Sequence, residues 1–226
     1  MKLSYYGHSC FLLETSQSKI LFDPFISANE LASSIEINDI ECDYILQSHG
    51  HADHIADTIA IAKGCNATIV GIWEISEWAL KHGVKKTHPM NIGGSWNFDF
   101  GKVKMVYAVH SSSFPDGSYA GQAAGFIIEA DGKRIYYAGD TALTQDMKLI
   151  GEYWKPDIAI LPIGNNFTMD VDDAIICSDF INCNNIIAMH FDTFGYIKVN
   201  HEEAMRKFQL KHKSLTMRKI GEELAI

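Results

Sequence analysis

Two short stretches of the chain repeat one pattern of apolar and polar positions. Phe11-Leu12-Leu13-Glu14 followed by Lys19-Ile20-Leu21-Phe22 matches Phe126-Ile127-Ile128-Glu129 followed by Arg134-Ile135-Tyr136-Tyr137 without a gap. Each copy predicts two apolar strands around a polar turn, Thr15-Ser16-Gln17-Ser18 in one and Asp131-Gly132 in the other. The likeness is either that of any two hairpins or that of a duplicated half-domain. Beyond each hairpin the period changes. Helical spacing runs from Ile55 to Lys63 and stops at Gly64, a short strand covers Ala67 to Gly71, and a second helix runs from Ile75 to His82 before Gly83. In the second half, Leu143 to Tyr153 and Asp172 to Ile181 read as helices, and Ile158 to Ile163 and Asn185 to Met189 as strands. Asn200 with Glu203 has the form of a capping box for a last helix, to about Lys211. This order predicts one α/β domain over residues 1–226, with two sheets sandwiched between helical layers.

Composition adds exclusions. With 47% hydrophobic and 21% charged residues the chain has an ordinary globular balance, and no run approaches the roughly 18 apolar residues of a membrane span. The start, Met1 to His8, lacks the apolar core of an export signal. Cys10, Cys42, Cys65, Cys177 and Cys183 are widely spaced, form no Cys-x-x-Cys pair and read as reduced, mostly buried thiols, so a cytoplasmic protein is expected. A formal net charge of -9 argues against an extended nucleic-acid surface.

The chemistry concentrates in Ser48-His49-Gly50-His51-Ala52-Asp53-His54, between the apolar run Tyr44-Ile45-Leu46 and the predicted helix at Ile55. Three imidazoles and a carboxylate at this density would be costly to bury unpaired. They are also the donors that zinc and similar divalent ions bind. In an extended turn His49 and His51 project side by side, while Asp53 and His54 begin a helix and point elsewhere, so one loop reaches two adjacent metal pockets.

This motif resembles the His-x-His-x-Asp-His signature of the metallo-β-lactamase superfamily. Further positions fit that family: His110 after Val103 to Val109, Asp140 in Tyr136-Tyr137-Ala138-Gly139-Asp140-Thr141, and His190 after Ile186 to Met189. The resemblance implies a four-layer αββα sandwich of two pseudo-repeated halves. It implies that His49, His51 and His110 hold one metal and Asp53, His54 and His190 a second, with Asp140 bridging. His51 keeps the chain with the hydrolases, since members with Glu there tend to be di-iron redox proteins. Two divalent ions are expected, zinc by default, though the donors also suit Mn, Fe, Co or Ni. Counting two cations, two carboxylates and a bridging hydroxide leaves a net charge of about +1, which predicts a small anionic substrate. A metal-bound hydroxide is the expected nucleophile, and Asp53 the catalytic residue that orients it and shuttles a proton.

Tyr6-Gly7-His8-Ser9, Phe22-Asp23-Pro24-Phe25, Leu161-Pro162-Ile163-Gly164 and His190-Phe191-Asp192-Thr193-Phe194 are similar to a branch of uncharacterised metal-dependent hydrolases near the L-ascorbate-6-phosphate lactonases. Asn165 departs from that pattern, where Asp is expected after Gly164. His8, Asn166 and Thr168 are candidate substrate contacts, with a structural role for His8 equally open. Ser111, Ser112 and Ser113 read as a loop, and His82, His88, His201 and His212 as surface residues. The function expected is hydrolysis of an ester, lactone or phosphoester of a small anionic metabolite by a lactonase-like, homo-oligomeric enzyme. The alternatives are RNA or DNA phosphodiester cleavage, β-lactam hydrolysis, and a metal-binding sensor without turnover.

Overall fold

The computed structural model describes residues 1–226. Its first half runs β1 (Lys2–Gly7), β2 (Cys10–Glu14), β3 (Lys19–Phe22), β4 (Tyr44–Leu46), α1 (Ala52–Ile55), α2 (Thr58–Cys65), β5 (Thr68–Ile72), α3 (Trp73–Lys81) and β6 (Thr87–Met90). The second runs β7 (Ser95–Phe98), β8 (Gly101–Tyr107), β9 (Ala124–Ala130), β10 (Lys133–Tyr137), α4 (Asp146–Leu149), β11 (Ile158–Pro162), α5 (Val171–Phe180), β12 (Asn185–Met189), α6 (His201–Leu210) and β13 (Ser214–Thr216). A last strand, β14 (Glu223–Ala225), returns to the first half and pairs with β1.

The two sheets have the orders β14-β1-β2-β3-β4-β5-β6 and β7-β8-β9-β10-β11-β12-β13. In each, the first three strand pairings are antiparallel and the last three parallel. Identical sense at every position is what duplication produces, and the contacts between the halves agree. Phe22 stacks on Tyr137 at 4.6 Å between ring centroids, and Ser16 binds Asp131 through N (2.8 Å) and Oγ (2.6 Å). Each pair joins positions that the ungapped repeat makes equivalent, as expected beside a two-fold axis. Helices α2 and α3 lie on the first sheet and α5 and α6 on the second, which completes the four layers. One cluster of 61 buried residues spans both sheets, so the halves share a continuous core.

The helix expected over Ile55 to Lys63 is broken into α1 and α2. Between them the Asp57 carboxylate turns to the neighbouring loop, accepting from Ile26 N (2.7 Å), Ser27 N (2.9 Å) and the Ser27 hydroxyl. Gly64 lies inside α2, and Asn66, in the left-handed conformation at φ 57°, ends it. The helix expected over Leu143 to Tyr153 narrows to α4 and a wide turn, Ile150–Trp154, closed by left-handed Lys155. Asn200 does cap α6, its side chain accepting from Glu203 N. No helix is long and apolar enough to cross a membrane.

Candidate metal centre

Six loops that follow strands of the two sheets build the site. His8 follows β1, Asp23 follows β3, and residues 47–54 follow β4; His110 follows β8, Asp140 β10 and His190 β12. His8, Asp23 and His190 have positive φ values of 54°, 38° and 55°, a conformation rare outside glycine that tends to be kept at functional sites. Gly139, at φ 61°, makes the turn into Asp140, and a Cβ there would stand 2.6 Å from Ala124 O.

The seven expected ligand residues converge. Donor atoms of His49, His51 and His110 lie within 4.8 Å of one another, and so do those of His8, Asp53, His54 and His190. Asp140 stands between the groups, its Oδ2 at 2.9 Å from His190 Nε2, 3.2 Å from His54 Nε2 and 3.6 Å from His110 Nε2. His8, a candidate substrate contact rather than a ligand in the sequence, lies within the second group. Its Nε2 lies 3.1 Å from Asp53 Oδ2 and its Nδ1 2.9 Å from Thr193 Oγ1.

A second ring of residues fixes these side chains. Buried Asp23 accepts from Ser48 N (2.7 Å), the Ser48 hydroxyl, Gln47 Nε2 (3.1 Å), Tyr137 Oη (2.8 Å) and His54 Nδ1 (2.9 Å). The last bond places the His54 proton on Nδ1 and leaves Nε2 free to ligate. Ser48 Oγ likewise meets His49 Nδ1 at 2.9 Å, and Gln47 Nε2 ties the loop through His49 O (3.0 Å) and His54 O (3.1 Å). The sequence marks Asp23 only as part of the family-like segment Phe22-Asp23-Pro24-Phe25. Its position directly after an apolar strand was the available signal.

The electrostatics suit a cation. Burial alone would raise the Asp140 carboxyl, but His190 and His54 outweigh it and hold the group well below the usual carboxylate range. Asp53 is likewise held low against burial, by His54 and His8. Burial, and then the other imidazoles, push His49 down, and burial lowers His51 and His110, so these rings are neutral and free to ligate. His54 is raised despite its burial, by Asp140 and Asp53. Two carboxylates facing one sealed imidazole carry an excess of negative charge that a divalent ion neutralises. His54 Nε2 and Asp140 Oδ1 are also buried without a hydrogen-bond partner, although His54 Nε2 is near Asp140 Oδ2. An unpartnered carboxylate oxygen among imidazole nitrogens, with no cysteine in either donor group, fits zinc and the other borderline divalent ions.

The centre opens into a cleft of about 1040 Å³ that Asp53, His51, His110, Asp140 and His190 help to line. Asp53 keeps 27% of its side chain exposed whereas Asp140 keeps 2%, so Asp53 is the carboxylate an incoming molecule meets. Asn166 and Thr168 do not line this cleft; Phe167, between them, does. Asn165 Oδ1 accepts from Asn166 N (2.6 Å) and Thr168 Oγ1 donates to Met169 O (3.3 Å), so the Thr168 hydroxyl serves the loop. Ser111 lies at the cleft with Oγ 3.4 Å from His51 Nε2, while Ser112 Oγ accepts from Gly50 N at 3.3 Å. Of the remaining histidines, His82 meets Trp78 O at 2.8 Å, His88 packs on Trp96, and His201 holds Asp192 at 2.6 Å.

Residues 2–190 match the family described as a beta-lactamase superfamily domain. The chain is 56% identical over 226 residues to a UPF0173 metal-dependent hydrolase of Flavobacterium johnsoniae, covering all of both chains. It is 54% identical to the relative in Christiangramia forsetii, again over the full length of both. Among solved structures, a metallo hydrolase of the hyperthermophilic archaeon Ignicoccus hospitalis superposes with a TM-score of 0.89 at 31% identity, over 99% of this chain and 97% of that one.

Proposed function

We propose, for a chain that belongs to the β-lactamase superfamily and is a metal-dependent hydrolase, that it cleaves an ester, lactone or phosphoester of a small anionic metabolite at a dinuclear centre. The observation that carries this reading is the pair of donor groups meeting at Asp140, with Asp53 ionised and turned to the cleft. His49, His51 and His110 would hold one ion, Asp53, His54 and His190 the other, with Asp140 between them. Two divalent ions, zinc first among them for this donor set, would supply Lewis acidity and bring the pKa of a water to about 7.

The remaining chemistry belongs to the chain. Asp53 accepts a proton at a carboxylate oxygen and orients the attacking water, then returns the proton to the leaving group. An ionised Asp53 requires a donor from His8, which assigns the proton to His8 Nε2 and leaves Nδ1 to accept from the Thr193 hydroxyl. Burial, reinforced by His190, pushes His8 down to about 4, so the ring stays neutral at pH 7 and orients Asp53 without competing for its proton. With two cations against Asp53 and Asp140, the site favours anionic substrate groups. The five free cysteines support a reducing, cytoplasmic setting.

The test is hydrolysis of a panel holding a lactone, an aryl ester, a bis-aryl phosphodiester and a structured RNA, by protein reconstituted with zinc. Turnover of a small ester, lactone or phosphodiester, with RNA left intact, is the expected result. A fully loaded protein that turns over nothing would be a sensor instead, and one that cleaves RNA alone a nuclease.

A further inference from the structure

We infer that the substrate carries a bulky apolar group, an aryl ring or a medium-length alkyl chain, seated on an aromatic wall that starts beside Asp53. The inference rests on the hydrolase reading above and narrows it.

The wall is assembled from three separate loops. Phe25 and Leu31 come from the segment after β3, Phe167 from the loop after β11, and Phe194 and Tyr196 from the loop after His190. Phe25 and Phe194 each set a ring edge to His8, with centroids 5.6 Å and 5.5 Å away, and stand 6.3 Å from one another. Phe167 and Tyr196 form a second pair at 6.3 Å. Because His8 touches Asp53, the apolar surface begins one side chain from the reacting centre and runs outward. Leu31, Phe167, Phe194 and Tyr196 are 52%, 51%, 36% and 78% exposed, so four large apolar side chains converge, uncovered, on one concavity. An apolar lining around a few fixed polar groups is the usual form of a small-molecule site.

The wall is also held in place. Asn165 and Asn166 are both left-handed, at φ 65° and 56°, in the turn that carries Phe167. The loop bearing Phe194 and Tyr196 is closed by Asp192 N donating to Ile197 O at 2.8 Å and by Val199 N donating to Asp192 Oδ1 at 3.0 Å. Thr193, next to Phe194, is tied to His8. Rings carried on a tied backbone spare the ordering of the loops when the wall is covered. Apart from the proposed metal ligands, the charged groups lining the cleft are Glu30, Asp192 and Lys198. One cation against two acids makes no cradle for a second anion.

Calorimetry on zinc-loaded protein with acetate, octanoate and 4-phenylbutyrate, as product-like carboxylates, reads the wall without turnover. Hydrolysis of p-nitrophenyl acetate and p-nitrophenyl octanoate reads it with turnover. Octanoate and 4-phenylbutyrate should bind at least about tenfold tighter than acetate, and kcat/KM should favour the octanoyl ester by at least about tenfold. Phe194→Ala combined with Tyr196→Ser, at two exposed positions, should bring both ratios to within about threefold of unity. Turnover without chain-length preference, or a preference that survives the double variant, would overturn the inference. A double variant that changes the sedimentation coefficient but keeps the ratios would assign the rings to a second copy of the chain, and also overturns it. Absence of turnover with both esters counts against carboxylic-ester cleavage in the reading above, while the carboxylate affinities still decide the wall.

Discussion

Asp23→Asn removes a single negative charge from the second ring and should weaken one metal position while sparing the other. Asp23 Oδ2 faces three donors: the Ser48 hydroxyl, Tyr137 Oη and His54 Nδ1. At the Oδ1 place an amide nitrogen would face Ser48 N, a backbone donor that cannot accept, so the nitrogen takes the Oδ2 place and turns each contact there into donor against donor. The two hydroxyls can rotate and accept instead. The imidazole cannot, except by moving its proton from Nδ1 to Nε2, the atom that faces Asp140. The metal must then compete with that proton, and loss of such an orienting partner typically costs 10- to 100-fold in affinity, or about 1.4 to 2.7 kcal/mol. The orphaned contacts should lower folding stability by roughly 1 to 3 kcal/mol as well. Zinc titrated against a chromophoric chelator separates the two positions. One dissociation constant should rise by about 10- to 100-fold, and the one set by His49, His51 and His110 should stay within about threefold of wild type. Two unchanged affinities, or a uniform loss at both positions, would refute the reasoning.

Three further expectations use the same geometry. Asp53→Ala should lower kcat by about 10²- to 10⁴-fold beyond any loss of metal, read on samples of matched zinc content; a fully active variant contradicts the proton-transfer role. Gly139→Ala combines a disfavoured φ of 61° with a Cβ 2.6 Å from Ala124 O, so it should lower stability by about 1 to 3 kcal/mol in urea melts and reduce metal loading. For metal-stripped protein, the buried His8 ring has its pKa lowered from 6.5 to about 4. The unfolded chain therefore takes up this proton first as the pH falls, and stability present above pH 6.5 is lost progressively down to about pH 4. His8→Gln should flatten the fall of Tm across that window, and an equally steep fall in the variant would show that His8 does not drive it.

The residues proposed to hold metal stand out in the sequence because four form a dense local pattern and the others follow apolar strands. Asp23 does not, since its role depends on partners 25 and 114 residues away, Ser48 and Tyr137. The apolar strands of both hairpins and β12 were visible from their hydrophobic runs. Strand β7 was not, because its side chains are largely exposed and it lies at a sheet edge, where no alternation marks a buried face. The break between α1 and α2 was hidden for a different reason. Apolar spacing continues through Ala56 and Asp57, and the Asp57 carboxylate interrupts the helix by bonding to a segment about 30 residues earlier. Around the cleft, Asn166 and Thr168 are the polar substrate contacts the sequence suggests, whereas the Phe167 ring between them reaches the cleft. Two successive left-handed residues decide which side chain faces inward, and periodicity does not reveal that.

The most direct test is anomalous scattering from crystals of the zinc-loaded protein. The account predicts two zinc peaks, one ligated by His49, His51 and His110 and the other by Asp53, His54 and His190, with Asp140 touching both. A single peak, or an ion held without Asp140, would contradict a dinuclear centre assembled from both halves of the chain.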